Sequence, residues 1–264
     1  MKVHASSVNR ADLDWLLPKG GWFLRLFLGF RRPRRQTLGI DVAGTVEAVG
    51  PEANRFKVGD RVFGDLIMGG GMAAFAEFAA APERRLQLMP GELSFEEAAT
   101  LPHSGALAIM GLRPHWGQEL QAGDSVMVVG ASGNVGPFAV QIAKARGLRV
   151  TGVCRTAKVD FVRSLGADEV IDYTTTDYTR AGERYDWIVD TDSHHSLLAV
   201  CRALVRGGVY VTLGGTSWPI LASMLAAPFV SMAVGRRMGL LLWWKPFNAP
   251  DVQRVTDLVA AGKV

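Results

Sequence analysis

The chain has 264 residues, 48% of them apolar and 20% charged, which is long enough to bury one or two sizeable cores and too apolar for a disordered segment. Its net charge of +4 is mild and sits largely in RRPRR at 31–35, a run that ordinarily forms a solvated loop, so no nucleic-acid partner is expected. Cys154 and Cys201 are the only cysteines and form no CxxC; this excludes a disulfide framework and fits a reducing, cytoplasmic setting.

Taken in chain order, the stretch MKVHASSVNRADL is polar and lacks the apolar core of a signal peptide. Residues 1–102 are rich in short extended runs broken by glycine, among them VAGTVEAVG, RVFGDLIMGGGMAAFAEFAA and RLQLM. The turns PEANRFKVGDR and APERR separate them, which predicts a mostly antiparallel β domain. Residues 103–264 change texture to strand and helix in alternation. Strands are predicted at 125–129, 149–153, 169–171, 187–190, 209–213 and near 240–244, and helices near 135–146, 158–165, 196–205 and 251–261. Val135, Ala139, Ile142, Ala143 and Arg146 carry the spacing that lays one helix face on a sheet. The fold class expected is α/β, a doubly wound parallel sheet joined to a smaller β domain. The run WPILASMLAAPFVSMAVG at 218–235 has the length of a membrane span but contains Pro219 and Pro228, so a buried or lid-like apolar segment is expected. Peripheral membrane contact stays open as an alternative.

The chemistry centres on GASGNVG, residues 130–136, between the apolar run SVMVV and an amphipathic helix. Its GxxGxxG spacing departs from the usual dinucleotide fingerprint by one residue, and a purely structural turn is the competing reading. Between a buried strand and a helix start, the bare amides of Gly130, Ala131, Ser132, Gly133, Asn134, Val135 and Gly136 and the helix dipole suit a pyrophosphate. One strand later the sequence is VTGVCRTAK. An NAD site places an acid there for the ribose hydroxyl; here Arg155, Thr156 and Lys158 stand instead, and two cations with a hydroxyl suit a 2′-phosphate. The alternative is that both cations are ordinary exposed charges. The expected cofactor is NADPH.

Other chemistries fail on spacing. Tyr173, Tyr178, Tyr185 and Tyr210 are followed four residues later by Asp177, Gly182, Val189 and Gly214, so the Tyr and Lys pair of a short-chain dehydrogenase is missing. The five histidines are scattered apart from His194 and His195, and no metal set converges. Neither GxSxG nor a P-loop is present.

With VHASSVNRADL, LGIDVAGTVEAVG, FKVGDRVFG, LSFEEAATLPHSGALAIMGL, GASGNVGPFAVQIAK, LGADEVIDY and RALVRGGVYVTLGG in order, the chain resembles the zinc-free quinone oxidoreductase branch of the medium-chain dehydrogenase/reductase superfamily, and within it the reticulon-interacting type. The resemblance implies an incomplete GroES-like substrate domain, a Rossmann domain and an active site in the cleft between them. Zinc-dependent relatives carry GHE where this chain has Gly39-Ile40-Asp41. It also implies that Tyr173 lies beside the 2′-phosphate, that Gly214 and Gly215 border the nicotinamide ribose, and that Asn9 is the catalytic residue, near the nicotinamide and substrate with water or a weak donor beside it to supply the proton; a turn or cap role is the alternative for Asn9. Leu107 stands for a usual threonine near the nicotinamide. Such relatives begin earlier and continue past AAGKV, so a chain shortened at both ends is expected. The activity implied is hydride transfer from NADPH to a hydrophobic quinone or α,β-unsaturated carbonyl without metal, with GGWFLRLFLGF and WPILASMLAAPF walling the cleft; a homodimer is compatible with this. The competing function is a catalytically silent NADPH-binding protein.

Overall fold

A computed structural model describes residues 1–16, 37–67, 73–215, 217–240 and 249–264. It divides into two compact units: residues 1–106 with the helix Ala249–Ala260, and residues 107–243 with the last four residues.

The first unit holds an antiparallel sheet in the order β1 (Lys2–Ala5), β2 (Asp41–Thr45), β3 (Arg61–Asp65), β4 (Leu86–Leu88). Val42, Val62 and Leu86 of these strands meet Val46, Leu66 and Ala74 in its core. Gly44 and Gly64 let the neighbouring chain pass close, since a Cβ at either would lie 2.0 or 1.9 Å from a backbone carbonyl oxygen. The sequence did not reveal α1 (Arg10–Leu16), the short α2 (Phe95–Ala98) or α3 (Pro102–Leu112). Ser94 and Glu97 form a reciprocal capping box on α2. α3 is apolar almost all round and carries Gly105 and Gly111, so it has no amphipathic stripe to announce it. The two glycines are contact points: Gly105 meets Val255 of the C-terminal helix within the first unit, and Gly111 meets Val189 within the second.

The second unit holds a parallel sheet in the order β10-β9-β8-β5-β6-β7, built from β5 (Ser125–Val129), β6 (Arg149–Cys154), β7 (Glu169–Asp172), β8 (Tyr185–Asp190), β9 (Leu204–Thr212) and β10 (Arg237–Leu240). Five of the six strands expected in this half are present, each with its C-terminal end within one residue of the expected one, while β10 ends at Leu240, where the sixth was expected to begin. β9 starts at Leu204, where a helix was expected to run to Val205, and the part of the last predicted strand beyond residue 240 lies outside the described residues. β5 is buried along its whole length, as a central parallel strand must be. Its helices are α4 (Gly136–Ala145), α5 (Val159–Ser164), α6 (Leu197–Arg202) and α7 (Ser217–Val234). Strand order reverses between β5 and β8, and in such sheets ligands bind outside the carboxyl ends at that reversal.

α7 is the membrane-like run of the sequence. Ala227 is buried and Ala226, Val230 and Val234 pack on the core, whereas Leu225, Phe229 and Met232 are exposed, so one face is covered and another is not. Among the described residues no helix is long and apolar enough to cross a membrane. The other expected apolar wall, at 20–30, and the basic run at 31–35 lie outside the described residues.

Candidate functional site

Two groups of residues carry chemistry, one in each unit. In the second unit the turn 130–136 leaves β5 at the strand reversal. Gly130 has φ +76°, and a Cβ there would lie 2.4 Å from the Thr191 hydroxyl, which donates to the Val129 carbonyl at 2.9 Å. The Gly130 and Ala131 amides donate to the Val153 carbonyl at 3.1 and 3.0 Å, and the Gly133 amide donates to the Gly130 carbonyl at 2.9 Å. These bonds pin the turn to its neighbours. α4 itself begins without a side-chain cap: Val135 occupies the N-cap and supplies no acceptor. The first-turn amides of a helix have no intrahelical partner, so an uncapped start at a strand reversal has the chemistry to receive an anion.

The three glycines play different parts. A Cβ at Gly136 would lie 2.2 Å from the Gly130 carbonyl oxygen and 2.6 Å from Ala131 backbone, so helix and turn touch there. Gly136→Ala is therefore expected to cost about 2–4 kcal/mol, read as a lowered urea midpoint. Gly133 is exposed, and a Cβ there would meet only the Gly130 carbonyl at 3.3 Å. Among the described residues, that one close contact within the turn is all that a Cβ at 133 would meet.

At the end of β6, Arg155 and Thr156 are exposed and Lys158 half-buried, with the Lys158 ammonium 5.6 Å from the Phe161 ring centre. Tyr173 is exposed, and its amide donates to the Cys154 carbonyl at 3.0 Å, which keeps it beside this edge. An acid is present after all, on the adjoining strand, where Asp172 pairs with Cys154. Its Oδ1 is engaged by the amide and hydroxyl of Thr174 at 2.9 and 2.7 Å. Hydroxyls of Thr156 and Thr174 hold that carboxyl below the usual range. Gly214 and Gly215 continue the pairing of β8 with β9: the Ser193 amide donates to the Gly214 carbonyl at 3.0 Å, and a Cβ at Gly215 would lie 2.5 Å from Ser193 backbone.

Beneath that loop lies a buried polar network that sequence reasoning missed. Tyr210 donates to Asp190 at 2.9 Å, and its hydroxyl lies 3.1 Å from that of Ser193. Asp190 is wholly buried, and burial pushes its carboxyl from 3.8 up to about 7, against the opposing Tyr210 hydrogen bond. A carboxyl with a raised folded pKa holds its proton more tightly than the unfolded chain does. Its stabilisation is complete below the unfolded pKa and is lost as pH rises through the folded one. Asp190 should thus remove on the order of 2–4 kcal/mol between about pH 4 and pH 7. Denaturant midpoints across that range should fall less steeply in Asp190→Asn, whose amide mimics the protonated acid.

The first unit holds the second group. Asn9 is 3% exposed, and its side-chain amide donates to Asp41 at 2.9 Å and Ser7 at 3.1 Å while its oxygen accepts from Ser104 at 3.2 Å. Both ends of the Asn9 side chain are thereby engaged inside the protein. Its main-chain amide donates to Asp12 at 2.8 Å, and Asp12 also accepts from Gly39 at 3.2 Å. Asp41 is wholly buried and accepts further from Ser7 at 2.8 Å and the His103 amide at 3.0 Å. Burial pushes the Asp41 and Asp12 carboxyls up. His103 places Nδ1 3.0 Å from Asp65. No sequence signal joined these residues, because β2, β3 and α3 bring them together from positions decades apart. Among the described residues no group of three or more His, Cys, Asp or Glu is arranged to hold a metal.

Comparison with known proteins fixes the family. Residues 1–91 match the alcohol dehydrogenase GroES-like domain and residues 134–234 match the zinc-binding dehydrogenase family. The whole chain is 34% identical to the chloroplast envelope quinone oxidoreductase homolog of Arabidopsis thaliana, spanning 79% of that protein. The chain belongs to the quinone oxidoreductase-like branch of the medium-chain dehydrogenase/reductase superfamily. This quinone oxidoreductase-like chain is also 30% identical over its full length to the mitochondrial NAD(P)H oxidoreductase RTN4IP1 of Mus musculus, of which it spans 72%. A solved quinone oxidoreductase from Coxiella burnetii superposes with a TM-score of 0.83 at 27% identity, covering 99% of this chain and 78% of that one. As a member of this branch the protein is a nicotinamide-dependent oxidoreductase, with the Rossmann and GroES-like halves that the sequence motifs implied.

Proposed function

We propose that the protein is an NADPH-dependent reductase of hydrophobic quinones or α,β-unsaturated carbonyls that works without zinc. The uncapped start of α4 at the strand reversal carries this reading, since its bonded turn and exposed Gly133 leave a cradle that a side chain would fill. Gly130 to Gly136 would hold the pyrophosphate, Arg155, Thr156 and Lys158 the 2′-phosphate with Tyr173 beside it, and Gly214 and Gly215 the ribose next to the nicotinamide. NADPH is favoured over NADH because the acid at this edge, Asp172, is engaged by its own turn while the cations face solvent. When bound, the nicotinamide supplies hydride; the chain positions it and the acceptor for near-attack contact. Zinc has no role in this reading, because Ile40 offers no ligand atom where zinc-dependent relatives carry histidine. With no metal to polarise it, the acceptor must be activated already, as quinones and enals are.

The quinone substrates in the names of the relatives support that choice of acceptor. Incubating the protein with NADPH and a panel of quinones and enals should show oxidation of NADPH that depends on an acceptor. Binding of NADPH without turnover of any acceptor would replace this reading with that of a silent NADPH-binding protein.

A further inference from the structure

NADPH differs from NADH by one phosphate on the adenosine ribose, so selectivity depends on what the chain offers at that edge of the sheet. A carboxylate there accepts from the ribose 2′-hydroxyl and favours NADH. This chain has one within the second unit: Asp172 ends β7 directly opposite Cys154, the last residue of β6, and Arg155 and Thr156 follow Cys154. A freely rotating, ionised Asp172 would accept from a 2′-hydroxyl and repel a 2′-phosphate.

The carboxylate is held instead. The Thr174 hydroxyl and amide donate to its Oδ1 at 2.7 and 2.9 Å. A hydroxyl has a single proton, so with that of Thr174 given to Asp172, the 3.0 Å contact between the Thr156 and Thr174 hydroxyls is made by the proton of Thr156. A chain of donors thus runs from Thr156 to Thr174 to Asp172 and ties the turn after β7 to the segment after β6. Thr156, one of the residues assigned to the phosphate, is joined to the acid as well. These hydroxyls and amides keep the carboxyl ionised, below the usual range. The link between the two segments sets this turn apart from its neighbour. Five residues on, the same Asp-Tyr-Thr sequence recurs, and Asp177 accepts from the amide and hydroxyl of Thr179 at 2.9 and 2.7 Å, a turn closed by its own residues.

We propose that Thr174 is a residue that determines cofactor specificity: it holds Asp172 inside the turn, braced by Thr156, so that the carboxylate is withheld from the adenosine ribose and Arg155 and Lys158 select the 2′-phosphate. Without the Thr174 hydroxyl, Oδ1 loses a charge-assisted bond that a ribose hydroxyl can replace. Thr174 acts through Asp172 and is a positioning residue. The inference rests on the reductase reading above and names what lets an edge that carries an acid still prefer the phosphorylated nucleotide.

The test titrates the full chain with NADPH and NADH, followed by nicotinamide fluorescence. Thr174→Val removes the hydroxyl and keeps both the branched shape and the amide that closes the turn. It should weaken NADPH about 10-fold and tighten NADH. Adding Asp172→Asn to Thr174→Val should restore most of the NADPH affinity, because the released side chain then carries no charge; a turn that matters only for its shape would show no such rescue. Thr179→Val, which opens the matching turn five residues away, should leave the ratio of the two affinities unchanged. A wild-type ratio in Thr174→Val, an equal shift in Thr179→Val, or a loss of both nucleotides that Asp172→Asn does not restore overturns this assignment while the reductase reading stands. A wild type that binds neither nucleotide, or both alike, overturns the assignment together with the NADPH reading.

Discussion

Gly133→Val should leave the protein folded and take away its affinity for NADPH. The position is exposed, and a Cβ there would meet only one carbonyl oxygen, at a tight 3.3 Å, so the change in unfolding free energy should stay within about 1 kcal/mol. If the turn existed only to join β5 to α4, valine would be tolerated without consequence. If the turn presents amides to linked phosphates, the branched side chain stands where they must approach, and affinity should fall by about 100-fold or more, equivalent to two charge-assisted hydrogen bonds. Gly136→Ala differs in that stability itself is lost, through backbone contact at 2.2 Å. Urea denaturation and fluorescence titration of the two variants, side by side, separate glycine kept for packing from glycine kept for a ligand.

The second large effect concerns the end of β6. Replacing Arg155 and Lys158 together by alanine should weaken NADPH by about 10–100-fold and leave NADH nearly unchanged, because only NADPH brings the 2′-phosphate that a guanidinium and an ammonium would bind. Both side chains reach solvent at the edge where Tyr173 and Asp172 sit, so their removal should not disturb the core. An equal loss for both nucleotides would mean that the cations attract nucleotide charge in general. No loss for either would make them ordinary surface charges. Competition between the nucleotides in the variant, monitored by nicotinamide fluorescence, reads this directly.

The Rossmann-type half was legible because its signals are local. SVMVV is buried at every position, Val135 to Arg146 carries a helical stripe, and glycine punctuates the turn between them, so β5, the turn and α4 follow from neighbours in sequence. What escaped notice had no local signal. α3 and α7 are apolar on nearly all sides, so periodicity is mute about them, and the two prolines of α7 argued against a helix of that length. The group around Asp41 was hidden for a different reason. Asp41, Asp65 and His103 look like unrelated polar residues until antiparallel pairing of β2 with β3 places the first two directly opposite, and the start of α3 sets His103 against both. Asn9 was found through likeness to a motif, yet its side chain is spent on Asp41 and Ser104, which only the packing reveals. Asp190 and Tyr210 belong to the same class: each sits in a strand that the sequence predicted, and the bond between them crosses from β8 to β9.

Titration of the wild-type chain with NADPH and with NADH under identical conditions tests the account most directly. It predicts saturable binding of one NADPH, tighter than NADH by about 10–100-fold, with an advantage that shrinks as salt is added and the 2′-phosphate is screened. Equal affinity for the two, or binding of neither, would contradict it.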